Sequence, residues 1–151
     1  MTFTDVQQKT LRTAMDRIIP ADDYPGAWDA GAGNYITRQL NGDLRHLAEI
    51  YQQGLDMLCA ESISVFRMEF SELEPSKQDE LLSKIEKGNV TQVWPISPRE
   101  FFAMLVQHCV EGYYSDPGNG GNKDARSWEM IGFDSVQPDK SVEIYRGRFR
   151  T

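Results

Sequence analysis

Few side chains in this chain are equipped for chemistry. They are two histidines, His46 and His108, two cysteines, Cys59 and Cys109, and the carboxylates and amides of one run, "DPGNGGNKD", at residues 116–124. Nucleophilic catalysis needs a nucleophile, a base and a group that orients the base. His108 and Cys109 are neighbours in a segment of helical periodicity, where successive side chains point about 100° apart, so they do not face each other. His108 sits late in that segment and is expected to bond the last helix carbonyls or the glycine run beyond. The cysteines show no CxxC or Cys/His spacing, which leaves no zinc or redox signature. Each falls in an apolar helical pattern and is expected as a buried, inert thiol, with a disulfide between them left open.

The acidic run invites a calcium reading through Asp116, Asn119, Asn122 and Asp124. An EF-hand wants oxygen ligands at alternate positions and a distal Glu, and after Asp116 the alternate positions are Gly118, Gly120 and Asn122, so that match fails. A different site using Asp116, Asp124 and His108, in a stand-alone enzyme or metal-binding module, is the alternative reading. "GNGGNK" contains Lys123 but no following Ser or Thr, and "GAGNYI" lacks the third glycine of a dinucleotide fingerprint. No cofactor box belonging to this chain is legible. The run does specify backbone geometry. Asp116 before Pro117 suits a turn start, Gly118, Gly120 and Gly121 allow close backbone approach, and Asn119 and Asn122 can bridge main-chain groups. Such a segment is either a tight cap over the preceding helix or a rigid, amide-rich surface docked to a partner.

The elements that must carry these groups read as helices. Thr4 with Gln7 forms a capping box, and Leu11, Ala14, Met15, Ile18 and Ile19 continue a stripe that Pro20 ends. "PADDYPGAWDAGAG" is a loop by composition, followed by a short helix from about Asp29 to Leu40 and a turn at "NGD", residues 41–43. The longest stripe, Leu44, Leu47, Tyr51, Leu55, Leu58 and Ser62, predicts a helix from about Asp43 to Phe66. Pro75 opens another, which closes on Gly88. "NVTQVWPI" is an extended link. Ser97, Pro98 and Glu100 then start a helix through Phe101, Phe102, Leu105, Val106 and Cys109 to about Tyr114. The expectation is an all-α single domain over 1–151 with about five helices. Its helical core covers about 4–114, and a Gly/aromatic loop and irregular C-terminal segment cover 115–151. Trp128, Phe133, Tyr145 and Phe149 argue that this segment is ordered against something.

With 151 residues the chain can bury a sizeable core unaided. Its net charge of −7 argues against a nucleic-acid partner. Arg146, Arg148 and Arg150 alternate near the C-terminus, and the plain reading of them is a solvated tail. No apolar run approaches the length of a membrane span.

Two blocks of the sequence resemble the gluconate 2-dehydrogenase subunit 3 family, the small or gamma subunits of bacterial FAD-dependent sugar dehydrogenases. The more specific is "GYYSDPGNGGNKDARSWEMIGF", in which Gly112, Asp116, Pro117, Gly120, Gly121, Asn122, Trp128 and Gly132 match the family pattern. Asn119 departs from it, standing where the family usually has Tyr. The other block is "LRTAMDRIIPADDYPGAWDAGAGNYI", with Ile18, Ile19, Pro20, Pro25, Gly26 and Ala30, and the resemblance spans about residues 5 to 135. It implies a non-catalytic subunit that works as a chaperone for a large GMC-type flavoprotein. FAD and the catalytic base would lie in that partner, with a cytochrome c as candidate electron acceptor. The implied partner-binding residues are Tyr113, Tyr114, Asp116, Pro117, Gly120, Gly121, Asn122, Trp128 and Phe133, with no catalytic, cofactor or metal residue in this chain. Family members often carry a twin-arginine signal, and this sequence starts directly on the domain. The expected location is therefore cytoplasmic, or periplasmic if a signal was removed or belongs to the partner.

Overall fold

The computed structural model describes residues 1–115, and in these the fold is all-α. Five helices follow one another: α1 (Asp5–Ile18), α2 (Ala32–Leu40), α3 (Ala48–Phe66), α4 (Pro75–Glu86) and α5 (Pro98–Tyr114). Short 3₁₀ turns at Arg45–Leu47 and Phe70–Glu72 lead into α3 and α4.

Helix α1 starts with the expected capping box. Thr4 Oγ1 accepts from the Gln7 amide at 3.1 Å, and Gln7 Oε1 accepts from the Thr4 amide at 2.9 Å. The same Gln7 side chain then donates to Asp56 on α3 at 3.0 Å, so one residue caps a helix and ties two together. At α5, Ser97 Oγ accepts from the Glu100 amide at 3.2 Å, and Pro98 fills the first position, where a missing N–H costs nothing.

Two helix starts differ from the sequence expectation. Helix α2 begins at Ala32 rather than near Asp29, because Gly31 adopts a left-handed φ of 99° that closes the turn before it. Helix α3 begins at Ala48 rather than Asp43. It has no side-chain cap, and the 3₁₀ turn before it supplies local partners instead, Leu47 N donating to Leu44 O at 2.9 Å. Leu44 and Leu47 still pack against the core, so the apolar stripe runs on while the helix type changes.

Helix α5 packs against each of the other four helices, most extensively α2 and α4. Two glycines set how close its neighbours come. A Cβ on Gly54 of α3 would lie 2.2 Å from the Phe101 ring, and one on Gly112 of α5 would lie 3.0 Å from Ala32 Cα. Leu11, Met15, Ile36, Tyr51, Leu55, Phe70 and Leu105 are fully buried in the single apolar cluster that these contacts create.

Leu55→Ala is expected to lower stability by about 2–5 kcal/mol through lost burial and a residual cavity. Gly54→Ala adds only a methyl group, yet it must push a packed aromatic ring aside, and its expected cost is about 1–3 kcal/mol. Chemical denaturation of both variants measures this. A Gly54→Ala protein as stable as wild type would mean that α3 and α5 do not approach so closely.

Candidate functional site

Of the residues singled out for chemistry or recognition, His108, Cys109, Tyr113 and Tyr114 lie on the C-terminal half of α5. His108 is buried, and its Nδ1 lies 2.7 Å from the Tyr51 hydroxyl of α3, with the two rings stacked at a centroid separation of 5.7 Å. This corrects the expectation that His108 serves the helix-end carbonyls. Its side chain points across the helix interface, where Nδ1 is engaged by Tyr51. Burial pushes the His108 pKa below its ordinary 6.5, partly opposed by Glu111, and burial pushes the Tyr51 phenol well up. Both shifts favour the neutral forms, in which the two groups share one hydrogen bond.

Cys109 is completely buried and its Sγ lies 3.9 Å from the Met15 carbonyl of α1. Burial, with a smaller contribution from Asp16, pushes its thiol pKa up, the reverse of what a reactive cysteine needs. Cys59 is buried and is also a free thiol. Among the described residues no group of three or more His, Cys, Asp or Glu side chains could hold a metal ion.

Next along α5, Glu111 accepts from Tyr35 Oη at 3.3 Å and from Gln107 at 3.1 Å, and burial together with Glu111 pushes the Tyr35 phenol up to about 12. Tyr113 and Tyr114 stand edge to face, with ring centroids 5.0 Å apart, and both are buried. The Tyr113 hydroxyl donates to the Pro25 carbonyl at 3.1 Å. The "PGAW" loop that receives it is itself pinned. Ala27 N donates to Ile19 O at 2.9 Å, and Trp28 N donates to the Asp16 carboxylate at 3.0 Å. Burial raises the Asp16 pKa despite that amide, and Arg12 lies over the Trp28 ring at 5.9 Å.

Tyr113 and Tyr114 are thus seated in the chain's own core. Asp116, Pro117, Gly120, Gly121, Asn122, Asp124, Trp128 and Phe133 lie outside the described residues. Sequence reasoning missed Tyr51 as the partner of His108, and it missed Glu61. Glu61 is 1 % exposed, and its carboxylate gathers the amides of Thr91 and Gln92, the Thr91 hydroxyl and the Trp94 indole N–H. The signal was present: Glu61 follows Leu58 by three residues, on the buried face of α3.

The pair has a consequence for stability. A histidine whose pKa is lower folded than unfolded adds no penalty above about pH 6.5 and withdraws stability as the pH falls below it. The unfolded chain then takes up a proton that the folded chain refuses, with a slope of at most about 1.4 kcal/mol per pH unit. The melting temperature should hold above about pH 7 and fall towards about pH 5.5, and His108→Gln should flatten that fall. Equal slopes in both proteins would show that His108 titrates normally in the fold.

The first family-like block, residues 11–36, and the described start of the second, residues 112–115, meet in space. Tyr113 reaches Pro25, and Gly112 lies against Ala32. No curated protein and no solved structure shows significant similarity to the chain. The family model described as gluconate 2-dehydrogenase subunit 3 matches residues 5–134, which includes both blocks and the junction they form. The family is that of a subunit in a multisubunit dehydrogenase and implies a partner chain. The chain belongs to the gluconate 2-dehydrogenase subunit 3 family.

Proposed function

We propose that this chain is the non-catalytic small subunit of a heteromeric, FAD-dependent GMC-type sugar or glycoside dehydrogenase, where it supports the folding, stability or export of the large flavoprotein. The observation that carries the reading is the family match over residues 5–134. The geometry is in keeping with it. The residues most suited to nucleophilic or acid–base work, His108 and Cys109, are buried, and one is bonded to Tyr51 while the other packs on α1. They stabilise a helix junction. In this reading FAD and the catalytic base reside in the large subunit, a cytochrome c is the candidate acceptor for its electrons, and assembly precedes any export of the pair.

The test is co-expression of the tagged chain with its genomic neighbours. A larger, yellow flavoprotein should co-purify in stoichiometric amount, with the flavin bound to the large chain. Cys109→Ala and His108→Gln should lower the yield of complex while leaving turnover per bound flavin unchanged. Normal yield and flavin content with turnover abolished in either variant would overturn the reading and place chemistry in this chain.

A further inference from the structure

Helix α2 passes into the following 3₁₀ turn through the step Asn41–Gly42. An asparagine before a glycine carries a reaction of its own. The glycine amide nitrogen can attack the asparagine Cγ, because glycine has no Cβ to keep the two apart. Asn34 and Asn89 instead precede Tyr35 and Val90, whose side chains shield that nitrogen. Asn119, which precedes Gly120, and Asn122 lie outside the described residues. Asn41 is exposed, so water and hydroxide reach it.

The folded chain holds each of the reacting atoms in another bond. Asn41 Nδ2, the nitrogen that would leave, donates to the Thr37 carbonyl at 2.8 Å, and Oδ1 accepts from the Met1 nitrogen at 2.8 Å. Gly42 N, the nitrogen that would attack, donates to the Gln39 carbonyl at 3.0 Å. Asn41 sits at φ −98° and ψ 0° as the C-cap of α2. At that ψ the Gly42 nitrogen eclipses the Asn41 nitrogen and is turned away from the Asn41 side chain. The turn is anchored on both sides, by buried Leu40 and by Leu44 N donating to the Gln39 carbonyl at 2.7 Å. Attack on Cγ therefore needs a local opening that rotates ψ and frees both nitrogens.

We propose that Asn41 is a latent deamidation site, which the C-cap of α2 keeps closed and which reacts when the end of that helix opens. In the reaction hydroxide removes the Gly42 amide proton, the nitrogen bonds to Asn41 Cγ, and the Cγ–Nδ2 bond breaks to release ammonia. Water then opens the cyclic imide at either carbonyl and leaves aspartate or isoaspartate at position 41. Nothing is oxidised or reduced. Either product has lost the Nδ2–H donor and turns a carboxylate toward the Thr37 carbonyl, at the negative end of α2. Isoaspartate also adds one carbon to the main chain inside the turn. The converted cap closes less well than the original, so the modification accumulates as a record of how often the end of α2 has opened.

The experiment incubates the full chain at mildly alkaline pH, folded and in guanidinium chloride, and follows the peptide containing residue 41 by mass spectrometry. Replacing NH2 by OH raises its mass, and chromatography separates the aspartate and isoaspartate forms. The unfolded chain should convert at Asn41, and the folded chain should convert at least about tenfold more slowly. Gly42→Ala should slow the reaction of the unfolded chain by supplying the missing Cβ. The converted wild-type chain, refolded, should melt below the unconverted one. Equal rates in the folded and unfolded chains overturn the closure by the cap. An unfolded chain unchanged at Asn41, or Gly42→Ala reacting as fast as wild type, overturns the site itself.

Discussion

Because α5 is in contact with all four other helices, almost every polar group on its inner faces must find a partner within the protein. That requirement accounts for most of what is particular about the fold. His108 is stacked on and bonded to Tyr51, and Glu111 collects Tyr35 and Gln107. Gly112 has no side chain because α2 passes too close for one. Tyr113 sends its hydroxyl out to a loop carbonyl at Pro25, which fixes the loop as well as the helix end. Removing one partner from such a pair leaves the other buried and unsatisfied, which is dearer than never having had the pair.

The half-buried and buried carboxylates show the same economy of means with different outcomes. Asp16 and Glu61 each organise an irregular segment by accepting from its backbone amides. Asp16 accepts from the Trp28 amide, and burial outweighs that bond, so its pKa rises. Glu61 receives two amides, a hydroxyl and an indole N–H, and hydrogen bonding wins, so its pKa falls. Stability gained through Glu61 is therefore present above the ordinary carboxylate range and is lost only as the pH drops through it, well below the window in which His108 acts. Two irregular links, 19–31 and 89–96, are each held by an acid on a helix, Asp16 with Arg12 and Arg17 nearby and Glu61 through hydrogen bonds.

The helices were legible in the sequence because their signals are local. The capping box at Thr4 and Gln7, the Ser97–Pro98 start and Gly88 after α4 each depend on residues within one turn. The stripe from Leu44 to Ser62 was legible as a buried face, but not the switch from 3₁₀ to α inside it, since both helix types place these leucines on nearly the same side. What the sequence hid was pairing at a distance. Tyr51 and His108 are 57 residues apart, and Glu61 and Thr91 are 30 apart. No spacing rule links them. The packing of α3 against α5 and against the α4–α5 link brings them together. For the recognition residues, Tyr113 and Tyr114 were drawn from the right place in the chain, and the fold shows them as core members whose side chains are already engaged.

The residues that carry the likeness near the N-terminus, Ile18, Ile19, Pro25 and Gly26, do not present functional groups to solvent. Ile18 and Ile19 are buried, Pro25 offers a carbonyl to Tyr113, and a Cβ on Gly26 would crowd Asp16 and the Ile19 carbonyl. Their common task is to hold the loop after α1 against the last turns of α5. The chain that leaves α5 therefore starts from a fixed base, with Ser115 Oγ bonded back to the Gly112 carbonyl at 3.3 Å. The rigid α4–α5 link fits the same logic, since in both places buried polar contacts are used to fix backbone and not to activate a nucleophile.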